Sequence, residues 1–148
     1  MRTMAVDVQV ETTIARTPAD VSSYAADPGN APAWYTNIKT VECRTQPPVA
    51  VGSQIDFVAH FLGRRLAYTY EVVELVPGER LVMRTADGPF PMETTYTWEP
   101  APGGATRMTL RNHGEPAGFS RLAAPVVERA MRRATTKDLA RLKVLLEG

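Results

Sequence analysis

Along residues 6–11 apolar and polar side chains alternate strictly, with Val6, Val8 and Val10 set against Asp7, Gln9 and Glu11. That is the period of a β-strand with one wet face. Six later segments are also strand-like: 38–45, 54–62, 65–76, 80–85, 92–99 and 106–113. Turn formers separate them. Gly63-Arg64 predicts a two-residue hairpin, Pro77-Gly78 a type II turn, and Ala101-Pro102-Gly103-Gly104 a longer connection. Links this short predict antiparallel neighbours.

Two helical stretches interrupt the series near its start. Thr17-Pro18-Ala19-Asp20 supplies a hydroxyl cap, a proline where the missing N–H costs nothing, and an acid in the positive first turn. Asp27-Pro28-Gly29-Asn30 stops that helix, and Asn30 is expected to cap a second short one running to Trp34 and Tyr35. Beyond Gly118 the period becomes helical. Val127, Ala130, Met131, Ala134, Leu139, Leu142 and Leu146 share one broad face, while Arg129, Arg132, Arg133 and Lys143 take the other and read as a solvated surface. Pro125 is expected in the first turn of this helix or at a kink upstream of it.

The order is therefore one strand, two short helices, six strands and a long terminal helix, a single α+β domain over residues 1–148. One helix cannot cover so wide a sheet. A sheet curled around it leaves a cavity between the two.

Composition narrows the partners. The 148 residues are 44% hydrophobic and 22% charged, the mixture of a globular chain. Seventeen basic and 16 acidic side chains leave a formal charge of +1, too weak a field to gather nucleic acid or anionic lipid. Cys43 is alone, which excludes an internal disulfide and a thiolate metal cluster and fits a reducing cytoplasm. Asp7 falls where a signal peptide needs an apolar core, and no run approaches the ~20 apolar residues that span a bilayer. Neither export nor membrane insertion is expected.

Several segments, taken in order, resemble the helix-grip (START / pollen-allergen-like, SRPBCC) superfamily and its polyketide cyclase/dehydrase-like group. They are Thr17-Pro18-Ala19-Asp20-Val21, Asp27-Pro28 followed by Trp34, Val51-Gly52-Ser53, Val73-Glu74-Leu75-Val76-Pro77-Gly78-Glu79-Arg80-Leu81, Gly104-Ala105-Thr106, and Asp138-Leu139 with Leu142-Lys143. The resemblance implies a helix-grip fold, a curved antiparallel sheet of about seven strands around the terminal helix, with a hydrophobic cavity between them. It implies no particular reaction, because carriers, cyclases, dehydratases, chaperone activators and oxygenase subunits share the fold. The metal-dependent branch is not expected, since His60 and His113 lack a partner pattern, and no cofactor is implied.

Strand parity selects the residues that face inward. Ile55, Phe57, Ala59 and Phe61 form one such set and send His60 outward; Leu66, Tyr68, Tyr70 and Val72 form a second. Met92, Thr94, Tyr96 and Trp98 form a third, and Met108, Leu110 and Asn112 a fourth. Met83 and Met131 add adaptable walls. Trp34 and Tyr35 belong at the rim, where they either gate the cavity or, for Trp34, anchor the short helix on the sheet. Gly88-Pro89-Phe90-Pro91 is expected at the mouth. Asp138 lies close to the helical stripe, where it is either a buried acid with a raised pKa or, the preferred reading, sits at the stripe's edge beside an arginine.

Apolar walls with sparse hydroxyls and one amide suit a small apolar or polyketide-like molecule. Tyr68, Tyr70, Tyr96 and Asn112 are the candidate catalytic groups, as donors to a developing enolate in a cofactor-free cyclisation or dehydration, with no general base evident. A carrier with the same cavity and no chemistry is the alternative, and a protein-interaction module of the chaperone-activator type is a third. Either a monomer or a homodimer is compatible with this reading.

Overall fold

The computed structural model describes residues 6–88, 91–115 and 124–148. Seven strands form one sheet in the order β1-β7-β6-β5-β4-β3-β2, every pair antiparallel. They are β1 (Val6–Ile14), β2 (Ile38–Cys43), β3 (Gln54–Phe61), β4 (Arg64–Val76), β5 (Arg80–Asp87), β6 (Met92–Ala101) and β7 (Ala105–Gly114). Between β1 and β2 lie α1 (Pro18–Ala25), a 3-10 turn at Pro28–Asn30, and α2 (Ala31–Trp34). The 24-residue α3 (Ala124–Glu147) follows.

Local chemistry accounts for these elements. Thr17 caps α1 by accepting from the Asp20 amide at 3.2 Å. Pro77 and Gly78 make the type II turn between β4 and β5: Gly78 has φ 76°, and the Glu79 amide donates to Val76 O at 2.9 Å. Two details differ from the sequence reading. The β3–β4 turn is centred on Leu62-Gly63, with φ 51° and 76°, because Phe61 pairs with Arg64; an exposed leucine tolerates the left-handed region there since the turn demands it at both positions. Asn30 does not cap α2 through its side chain. Its amide nitrogen instead donates back to Tyr24 O at 3.2 Å, tying the turn to α1.

The sheet curls where β4 and β5 are each bulged against the other. Opposite Thr69 and Tyr70 of the 13-residue β4 the extra residue is Ala86 of β5, and between Val72 and Glu74 it is Val73 of β4 itself; such extra residues bend and twist a strand. The second shift reverses the facing of side chains, so that Val72 and then Leu75 turn toward the core. The convex face is polar and bridged by cross-strand ion pairs: Arg111 with Asp7, Arg84 with Glu93, and Arg107 with Glu99, each 2.7 Å apart. On the concave side α3 packs chiefly along β1 and α2. The stretch facing β3 to β6 is thus left incompletely filled.

Candidate ligand cavity

A cavity of about 150 Å3 lies between the concave face and α3. Phe57, Ala59 and Phe61 come from β3, Leu66, Tyr68 and Tyr70 from β4, and Leu81, Met83 and Thr85 from β5. Met92, Thr94 and Tyr96 of β6, Asn112 of β7 and Tyr35 after α2 continue the wall, which α3 closes with Met131, Ala134, Thr135 and Asp138. Strand alternation is the cause, since every second residue of each strand reaches the same space. His60 is on the opposite, exposed face.

Two residues expected at the cavity do not line it. Trp34 is wholly buried, at 0% exposure, and packs in the main core against Tyr35 and Tyr96, with ring centroids 4.3 and 5.7 Å away. It anchors α2 and leaves the wall to Tyr35. Met108 is likewise fully buried; it lies four residues before Asn112 on β7 and pairs with Trp98, inside solid core. Of the expected mouth loop, Pro89 and Phe90 lie outside the described residues.

At Asp138 the structure shows the less favoured of the two sequence readings, a buried acid. It is 3% exposed and lines the cavity instead of edging the helix stripe. Its Oδ1 accepts from the Thr36 amide at 2.8 Å and from Thr36 Oγ1 at 3.0 Å. Its Oδ2 has no hydrogen-bond partner among the described residues. Burial disfavours the charged form and pushes the carboxyl up to about 6, although the Thr36 bonds and the nearby Arg141 pull the other way. A signal is present in the sequence: Met131, Ala134, Thr135, Asp138 and Leu142 follow one another at helical spacing on one face.

The phenols form two groups. Tyr35 and Tyr96 hydrogen-bond to each other at 2.5 Å, which consumes one proton and leaves one to donate. Tyr68 has no hydroxyl partner among the described residues. Burial raises all three above the ordinary phenol range, and the Asp138 charge raises each further, which places them in its neighbourhood. At neutral pH they are protonated donors. In the second group Thr94 Oγ1 donates to Asn112 Oδ1 at 2.6 Å. Thr94 has a single proton, so Tyr70, 2.9 Å away, must be the donor to Thr94. Burial pushes Tyr70 up to about 12, moderated by that bond.

The arrangement therefore sets a carboxyl of raised pKa and several phenol donors within mostly apolar walls. A second depression, about 360 Å3, lies on the far side of β2 to β4 around Arg44 and Asp56. Those two side chains are already paired at 2.8 Å.

Fold and cavity define a helix-grip protein, and the comparisons agree. A family model described as polyketide cyclase / dehydrase and lipid transport matches residues 5–147, so the chain belongs to that family. Among solved structures, a START superfamily protein from Mycobacterium smegmatis superposes with TM-score 0.80 at 15% identity, covering 95% of this chain and 97% of its own. A protein from Thermus thermophilus gives 0.79 at 20% identity, covering 95% and 96%. The Zhui aromatase/cyclase from Streptomyces sp. R1128 gives 0.78 at 17% identity, covering 97% and 94%. No curated protein matches. Among the described residues no helix is long and apolar enough to cross a membrane.

Proposed function

We propose that the chain binds a small, mostly apolar carbonyl compound in this cavity and enolises it with Asp138 as base, the step from which cofactor-free cyclisation or dehydration proceeds. One observation carries the reading: a buried carboxylate with an uncommitted oxygen shares a mostly apolar cavity with phenol donors. A carrier has no use for such a group. Burying a carboxyl without full compensation costs stability, and a pocket meant only to hold an apolar molecule would be better lined by leucine.

In this scheme Asp138 Oδ2 takes the proton from the carbon next to the carbonyl, the C–H electron pair becomes the new C=C bond, and the C=O π pair moves onto the oxygen. The spare proton of the Tyr35–Tyr96 pair, or that of Tyr68, hydrogen-bonds the enolate as it forms. The enolate then attacks a second carbonyl of the same molecule, closing a ring, or expels a β-hydroxyl. In the first case the proton held by Asp138 passes to the new alkoxide and gives a ring hydroxyl; in the second it goes to the departing oxygen, and water leaves. No oxidant or reductant enters. The family description covers both cyclase/dehydrase and transport members, and the polar groups of this cavity favour the former.

Enolisation is measurable without knowing the natural substrate, as incorporation of solvent deuterium next to the carbonyl of small cyclic ketones such as cyclohexanone, followed by NMR. The protein is expected to accelerate exchange, with a rate that climbs as pH rises through about 6, where Asp138 loses its proton, and then levels. Exchange no faster than in buffer, or acceleration that ignores pH between 5 and 8, would remove the reading.

A further inference from the structure

Size and hydrogen-bond bookkeeping narrow the ligand of the same site, and this step rests on the reading above. A cavity of about 150 Å3 is the volume that takes up benzene when its walls are apolar, against roughly 300–1,000 Å3 for pockets that hold drug-sized molecules. The walls are tied in place. Tyr70 is bonded to Thr94, Tyr35 to Tyr96, and Asp138 to Thr36, so a second fused ring has to break one of these bonds, push a strand aside or stand out of the cavity's open side.

The proton direction along Tyr70, Thr94 and Asn112 then sets what one end of the cavity accepts. Tyr70 has given its proton to Thr94, and its oxygen is left as an acceptor. The Asn112 amide nitrogen, with no partner among the described residues, is left as a donor. A hydroxyl fits this pair better than a second carbonyl, which can only accept and would leave Tyr70 unanswered. We infer that the cavity is built for a single-ring ketone that also carries a hydroxyl group, the hydroxyl seated at Tyr70 and Asn112 and the ketone near Asp138.

Four probes separate the elements of this inference by NMR titration: cyclohexanone, 4-hydroxycyclohexanone, cyclohexane-1,4-dione and 2-decalone. The hydroxyketone is expected to bind about threefold to tenfold tighter than the dione of equal size, the worth of one net hydrogen bond. The two-ring 2-decalone is expected to bind about tenfold or more weakly than cyclohexanone, despite its larger apolar surface, because it overfills the space. In Thr94→Val the Tyr70 proton is released, Tyr70 becomes a donor, and the hydroxyketone's advantage over the dione should vanish. The wild-type comparisons stand even if that variant fails to fold. Equal binding of hydroxyketone and dione, or decalone binding as tightly as cyclohexanone, overturns the inference. If decalone binds and exchanges its α-deuterium in the presence of the protein, enolisation survives and only the one-ring limit falls. If no ketone binds, both fall.

Discussion

Replacing Asp138 by asparagine is expected to make the protein more stable at pH 8 and to abolish its chemistry. The two effects share one cause. The carboxyl is shifted from 3.8 to about 6 on folding, so the folded chain holds its proton more tightly than the unfolded chain does. The stability associated with that proton is fully present below about pH 4 and is lost as pH rises through about 6. A shift of about 2 units corresponds to ~3 kcal/mol at full ionisation. The introduced amide would carry no charge at any pH and would keep an oxygen for the Thr36 amide and hydroxyl. Asp138→Asn should therefore gain up to about 3 kcal/mol at pH 8, or roughly 5–10 °C in Tm, and little at pH 4. Ketone α-exchange should fall by about a hundredfold or more, the usual contribution of a general base. Thermal melts at the two pH values, read beside the exchange rate, test this. A variant less stable than the wild type at pH 8 would show that the carboxylate is there to hold Thr36, and a retained rate would show that another group is the base.

Trp34→Ala should have the largest effect on the fold. The side chain is 0% exposed and bridges α2 to the sheet through Tyr96, and deleting a buried tryptophan costs about 3–5 kcal/mol, a large share of the ~5–15 kcal/mol that holds a domain together. In urea the unfolding midpoint should drop by about 2 M. A gating residue at a solvent-facing rim would change stability by less than about 0.5 kcal/mol. A small shift of the midpoint would return Trp34 to that role.

Much of the fold is legible in the sequence because it depends on periods and punctuation. Strict alternation at Val6, Val8 and Val10 and the Pro77-Gly78 turn are local signals, and the sheet follows them. The inward set Phe57, Tyr68, Tyr70, Thr94, Tyr96 and Asn112 follows from parity alone and does line the cavity. What parity cannot provide is depth along a strand. Met108 and Asn112 share a face of β7, but one meets solid core and the other open space, and the difference depends on where α3 and the helical segment before β2 sit. Asp138 is only partly legible for another reason. Charge argues an aspartate toward the edge of an apolar stripe, whereas its position at the centre is sustained by Thr36, a residue 102 positions earlier in the chain. The bulges at Val73 of β4 and Ala86 of β5 are hidden too, since their neighbours read as ordinary strand.

Titration of the Asp138 side-chain carbon by 13C NMR, with Asp138→Asn to assign its signal, goes most directly to whether the cavity contains a base. A midpoint near 6 is the expected result. A midpoint at about 3.9, the ordinary value for an aspartate in water, would mean that the carboxylate is solvated, and the proposed chemistry would have no base.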